Sequence, residues 1–150
     1  MSVTMMKVIA IAHKREKGAA VTELDQAEIT TESGVENDLA GAPGKRQVTL
    51  LSKSQWQEAC AELDQEIPWT VRRANILLDG VVFGPEQVGN IIKIGTVHLE
   101  VTKETVPCQL MDDQVPGLRK ALTPDWRGGV CCRVVQSGQV EIGDSGSWLE

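Results

Sequence analysis

Strand-like alternation of apolar and polar residues recurs in eight short stretches: Lys7 to Ala12, Ala27 to Thr31, Gln47 to Leu51, Asn75 to Leu78, Ile91 to Ile94, Val97 to Thr102, Val130 to Val135 and Val140 to Ile142. A period of two buries one face of a strand, so the pattern predicts a mainly β protein. Turn chemistry separates the stretches. Ile94-Gly95-Thr96 and Gln136-Ser137-Gly138-Gln139 read as hairpin turns, while Asp79-Gly80 and Gly84-Pro85 mark a loop.

Helical spacing replaces alternation in two places. From Lys53 to about Leu63, Trp56, Ala59, Cys60 and Leu63 share one face, and Ser52 is placed to cap the N-terminus. A second segment runs from Cys108 or Gln109 to Leu122 with Leu110, Met111, Leu118 and Leu122 as apolar positions; Pro116-Gly117 predicts that it forms as two short pieces. Glu32 to Lys45 is rich in Gly, Asp, Glu and Asn and lacks a sustained period. It reads as a long loop of the kind that carries function. With no repeat or linker in view, the pattern predicts one domain over residues 1–150, a closed or nearly closed single-domain β-barrel with two or three short helices.

Composition narrows the partners. The chain has 150 residues, 15 Lys plus Arg against 21 Asp plus Glu, and a pI near 5.0, which argues against nucleic acid unless the basic residues cluster. The apolar run Met5 to Ala12 is short and is followed by His13-Lys14-Arg15-Glu16, so it reads as a first strand and not as a signal. No run approaches the ~20 apolar residues of a membrane helix, and a cytoplasmic protein is expected. The four cysteines, 60, 108, 131 and 132, include a vicinal pair and no C-x-x-C, and His13 and His98 stand alone; a disulfide framework and a structural zinc site are both disfavoured.

The candidate chemistry centres on Cys108. It follows Pro107 at the end of an alternating strand and precedes a predicted helix, where unpaired backbone N–H groups and the helix dipole favour an anionic sulfur. Arg46, Arg72, Arg73, Arg127 and Arg133 lie at the edges of predicted strands, and several of them converging would make a pocket for a small anion. In an extended Arg73-Ala74-Asn75 segment, the cation and the amide emerge on one face. The plainer reading makes the arginines surface ion pairs and the cysteines small hydrophobes. Trp56 reads as a helix-packing residue, Trp126 as a wall or lid near Arg127, Trp69 and Trp148 as fillers of the barrel ends, and Asp144 as a turn former. Cys131 and Cys132 point to opposite faces of their strand.

Taken in order, Gly34-Val35-Glu36-Asn37-Asp38, Lys45-Arg46-Gln47-Val48-Thr49-Leu50-Leu51, Arg73-Ala74-Asn75-Ile76, Pro107-Cys108, Arg127-Gly128-Gly129-Val130 and Gly143-Asp144 resemble the motifs of MOSC domains, the family named for the C-terminal domain of molybdenum cofactor sulfurases. The resemblance runs from about Lys7 to Leu149. It implies a compact barrel similar to the barrel domain of pyruvate kinase, with Cys108 matching a cysteine that is a thiolate ligand of molybdenum in characterised relatives. It further implies a pterin-based molybdenum cofactor whose phosphate would meet Arg46, Arg73 and Arg127, with Asn75 and Ser52 bonding its polar edges. Two departures stand out. Asn37 occupies the position of a family glycine, which Asn tolerates through its access to left-handed angles, and Cys131 falls where some relatives carry an aromatic side chain.

Three functions are open from the sequence. One is a molybdenum-dependent oxidoreductase that reduces N-hydroxylated compounds with electrons from a partner reductase, Asp38 or Glu36 relaying protons. A second is a sulfur carrier that holds a persulfide on Cys108 and is loaded by a sulfur-donor protein, since no desulfurase module is present. The third is a non-catalytic binding module in which Cys108 is structural.

Overall fold

Residues 5–150 are described by a computed structural model, in which eleven strands and three helices alternate with 3-10 turns. The strands are β1 (Met6–His13), β2 (Thr22–Leu24), β3 (Gln26–Thr30), β4 (Gly34–Val35), β5 (Val48–Ser52), β6 (Ile76–Asp79), β7 (Ile91–Ile94), β8 (Val97–Glu104), β9 (Val130–Gln136), β10 (Gly138–Glu141) and β11 (Ser145–Leu149); the helices are α1 (Lys53–Glu62), α2 (Gln109–Gln114) and α3 (Leu118–Leu122). Seven strands close a barrel in the order β11-β7-β8-β9-β5-β6-β1, sealed by pairing of β1 with β11 through Met6↔Gly146 and Lys7↔Ser145. β2 extends β1, and β10, β3 and β4 form a separate small sheet. The predicted mainly β barrel with short helices is the architecture found.

Alternation explains the barrel interior. Val8, Ile11, Leu50, Ile76, Leu99 and Val130 project inward and are fully buried, each contributing roughly 1.5–3 kcal/mol by leaving water. A bulge in β1 between Val8 and Ala10 turns both Ile9 and Ala10 outward and restores Ile11 to the core. Outside the barrel, Leu51 and Leu77 meet Trp56, Ala59 and Cys60 of α1, Met111 of α2, and Leu118 and Leu122 of α3, making a second apolar layer. Cys60 belongs to that layer, and burial pushes its thiol pKa up despite a bond from the Ile67 backbone.

Local chemistry sets the helix ends. Ser52 caps α1, its hydroxyl accepting from the Gln55 N–H and donating to Val81 O at 2.6 Å. The second helical segment breaks as expected, because Gly117 adopts φ 90 between α2 and α3.

Four expectations need correction. Gln136 to Gln139 does not close a hairpin: β9 pairs with β5 and β8, whereas β10 pairs with β3, because the chain at Gly138 crosses tightly over Thr96 of the β7–β8 turn. Trp69 fills no barrel end; it packs in the helix layer and donates from Nε1 to Glu23. Trp148 does lie against the barrel core, edge-on to Phe83. The loop from Glu32 to Lys45 contains the short strand β4, and β11 and β2 arise where no alternation marks them.

Candidate functional site

The chain leaves β8 at Glu104 and runs through Thr105, Val106 and Pro107 to Cys108, the N-cap of α2. Cys108 is exposed and its side chain makes no capping bond, so the sulfur faces solvent. The helix behind it has only six residues, so its dipole is a minor influence. Arg72 is the buried cation on the same side of the molecule as this thiol.

Arg72 ends the 3-10 turn Trp69–Arg72 and is 7% exposed. Its guanidinium donates from Nε to Gly128 O at 3.0 Å and from Nη2 to Thr105 O at 2.7 Å, and Nη1 lies 3.8 Å from Met111 Sδ. One side chain thus ties the segment before Cys108, the glycine turn before β9, and α2 itself. Gly128 is required there, since a Cβ would stand 2.5 Å from Thr105 O and 3.1 Å from Arg72 Nη2. Burial pushes the Arg72 pKa down, while the sulfurs of Cys108 and Cys131 and then the Glu104 carboxylate push it back. Burial likewise raises the Glu104 carboxyl against the opposing pull of Arg72.

Cys131 completes this layer. It points out of the barrel, buried, with Sγ 3.2 Å from Thr105 Oγ1. Cys132 points into the barrel core, as opposite faces of one strand require.

Of the arginines singled out from the sequence, two keep free polar ends. Arg73 is exposed, in the left-handed conformation with φ 62, and borders a hollow of about 260 Å³ with Lys14, Thr70, Val71 and Gln114. Neither Arg73 nor Lys14 enters an ion pair among the described residues. Gln114 is the last residue of α2, which puts the hollow about 9 Å of helix rise from Cys108. Arg46 is exposed in the loop before β5, next to Lys45, whose carbonyl accepts from Thr102.

The others are committed internally. Asn75 is buried, its Oδ1 accepting from Thr49 N and Oγ1 and its Nδ2 donating to Ala12 O, so it staples β1 to β5. Because Arg73 is left-handed and not extended, the expectation that Arg73 and Asn75 share a face fails. Ser52 is fully buried in its cap. Arg127 is paired with Glu62 at 2.9 Å and Glu58 at 3.4 Å and donates to Ala121 O, joining α1 to α3; the bond to Glu62 raises its pKa. Arg133 pairs with Glu100 at the surface.

Asp38, expected as a proton relay, receives the N–H groups of Lys14 and Ala40 on its two oxygens, and the adjacent Asn37 takes φ 61. It builds the loop. The Glu36 carbonyl accepts from His13 Nδ1–H at 2.8 Å, and His13 Nε2 is buried without a hydrogen-bond partner among the described residues. Asp144 is a turn former, accepting from Glu141 N.

Among the described residues no three His, Cys, Asp or Glu side chains gather into a metal-binding cluster. A metal at Cys108 would therefore draw its other ligands from a bound group. The donor set fits such a group: one accessible soft sulfur suits molybdenum held otherwise by a dithiolene, and the unneutralised Lys14 and Arg73 suit an anion. A roomier hollow of about 500 Å³ bordered by Lys93, Glu141 and Asp144 contains no thiol. No helix among the described residues is long and apolar enough to cross a membrane.

The closed barrel thus presents one exposed cysteine, Cys108, between a strand and a short helix, beside the buried Arg72. The MOSC domain family model matches residues 18–146, and the chain belongs to that family, one associated with the molybdenum cofactor. Solved structures share the fold. The YuaD protein from Bacillus subtilis superposes with a TM-score of 0.75 at 18% identity, over 95% of this chain and 94% of its own. YiiM from Geobacillus stearothermophilus gives 0.77 at 18% identity over 97% and 75%, and YiiM from Escherichia coli gives 0.73 at 15% over 96% and 70%. A comparison with curated protein sequences found no match.

Proposed function

We propose that this MOSC domain binds a molybdenum cofactor of the molybdopterin type on the Cys108 face and serves as a small oxidoreductase for N-hydroxylated compounds, with electrons from a partner reductase. The observation that carries the reading is the solvent-facing Cys108 sulfur held on a segment clamped by Arg72. When bound, the cofactor supplies a redox-active metal able to exchange an oxygen atom with substrate. Cys108 supplies the protein's soft ligand. Arg73 and Lys14 orient the anionic end of the pterin, and Arg46 is a third cation within the family motif. Arg72 fixes where the sulfur stands by holding Thr105 and Gly128, while Ser52, Asn75 and Arg127 hold the frame.

The test is metal and pterin analysis of protein produced in a host that makes the cofactor. Stoichiometric molybdenum that disappears in Cys108→Ser supports the reading, with Arg73→Ala lowering occupancy about tenfold through loss of a charged phosphate contact. Molybdenum that persists in Cys108→Ser defeats it. The exposure of Cys108 also favours a second reading, a persulfide carrier. Protein that carries one added sulfur on Cys108 and no pterin would establish that alternative.

A further inference from the structure

Cys131 has no part in the function proposed above, yet it lies in the same small layer as Cys108. Its sulfur is 3.2 Å from the Thr105 hydroxyl, three residues before Cys108 in the chain. Arg72 bonds the Thr105 carbonyl and touches Met111, one turn into the helix that Cys108 caps. Both sulfurs lie near enough to Arg72 to favour its charged form when they are ionised. One sulfur is exposed and the other is buried at 2% exposure. An oxidant from solvent can reach the first and not the second.

From this arrangement we infer that Cys108 and Cys131 form a reactive dithiol, Cys108 as the sulfur attacked by peroxide and Cys131 as the sulfur that resolves it. The inference rests on Cys108 being the reactive sulfur of the functional face. In the first step the Cys108 sulfur attacks a peroxide oxygen; an S–O bond forms as the O–O bond breaks, water leaves, and Cys108 becomes a sulfenic acid. In the second, the Cys131 sulfur attacks the sulfenic sulfur; the S–S bond forms, the S–O bond breaks, and a second water carries off the remaining thiol proton. Two thiols and one hydrogen peroxide thus give one disulfide and two waters.

The approach requires this segment to release. The Thr105 N–H donates to Gly129 O at 2.9 Å, its carbonyl accepts from Arg72 and Pro107 is buried, so the thiol reaches Cys131 only when that clamp opens, while Val106 and Leu110 on either side of the thiol are 64% and 45% exposed and add little packing to be lost. A disulfide needs Cα atoms roughly 5.5–6 Å apart. Thr105, already against Cys131, marks the place where Cys108 would arrive. The bridge withdraws Cys108 from any bound metal, so it would lock the apo form until a dithiol reductant reopens it.

The experiment treats the reduced full-length protein with equimolar hydrogen peroxide and maps the products by mass spectrometry. The expected result is joint loss of two thiols, a Cys108–Cys131 linked peptide, and full recovery with dithiothreitol. In Cys131→Ala the same dose should add oxygen to Cys108 without a bridge; in Cys108→Ala, which alters only an exposed position, Cys131 should stay reduced. Oxygen accumulating on Cys108 in the unaltered protein, a bridge to Cys60, or disulfide-linked dimers through Cys108 would overturn the pair. Cofactor loading of the reduced protein is scored separately. Bridging without loading defeats the proposed function alone, and loading without bridging defeats the dithiol alone.

Discussion

Cys131 and Cys132 are neighbours on β9 with the same side chain, and they live in different chemistries. Cys132 faces the barrel interior among Val48, Val101 and other apolar side chains, fully buried. Cys131 faces a layer that is also buried but contains a charged guanidinium, a threonine hydroxyl and backbone carbonyls turned toward it. The pleat separates a packed interior from an outer layer with polar content within a single peptide unit. A buried position in this fold is inert or chemically equipped according to which side of the barrel wall it occupies.

The sharpest way to break that contrast is to remove the charge from the outer layer. Arg72→Met should destabilise the protein by about 3 kcal/mol, because it deletes bonds from a charged donor and strands the Gly128 and Thr105 carbonyls. Arg72→Lys should recover part of this in urea unfolding. If Arg72→Met matches the parent, the clamp is not what holds the segment. Next in size is the serine comparison. Cys132→Ser places an unpartnered hydroxyl in the core and should cost about 2 kcal/mol, whereas Cys131→Ser keeps Thr105 as a partner and should cost under about 1 kcal/mol. Equal losses would erase the distinction.

A smaller effect concerns alkaline pH. Burial, reinforced by the nearby Cys131 and Glu100, raises the Cys132 thiol well above the ordinary range, while the unfolded chain ionises it near pH 8.5. Above about pH 8.5 the unfolded state holds fewer protons than the native state, so stability falls as pH rises from there. Cys132→Val should flatten that slope in unfolding curves collected across alkaline pH, and an unchanged slope would refute the assignment. Smallest is Arg73→Gly. It relieves a left-handed arginine and should stabilise by about 0.5 kcal/mol after the entropic cost of glycine, while weakening anion binding; a loss of stability would show that the Arg73 side chain supports the fold.

The same division governs what could be read from the sequence. The β7–β8 hairpin and α1 were legible because Ile91–Ile94 and Val97–Thr102 alternate around Gly95, and because Ser52 precedes a helical period. Strand β11 was not, since its core face is made by Gly146 and Trp148 and the flanking serines give no apolar alternation; the β1 and β7 edges recruit it. Cys108 stood out by its junction and motif. Arg72 stood among five arginines with nothing to separate it from Arg73. Extended geometry favoured Arg73 with Asn75, but a 3-10 turn and a left-handed residue reversed which of the two adjacent arginines went inside. The only local hint was Arg72 falling three residues after Trp69, the repeat of a 3-10 turn. Arg127 misled for a related reason: its acidic partners, Glu58 and Glu62, lie on a helix distant in sequence.

The seam of the barrel joins β1 to β11, the first strand described to the last. During synthesis the strands between them can pair as they emerge, but the wall stays an open curtain with bare edges on β1 and β7 until Ser145–Leu149 leaves the ribosome. Closure therefore waits for β11, and a chain stalled or cut before that strand presents two adhesive edges to its neighbours.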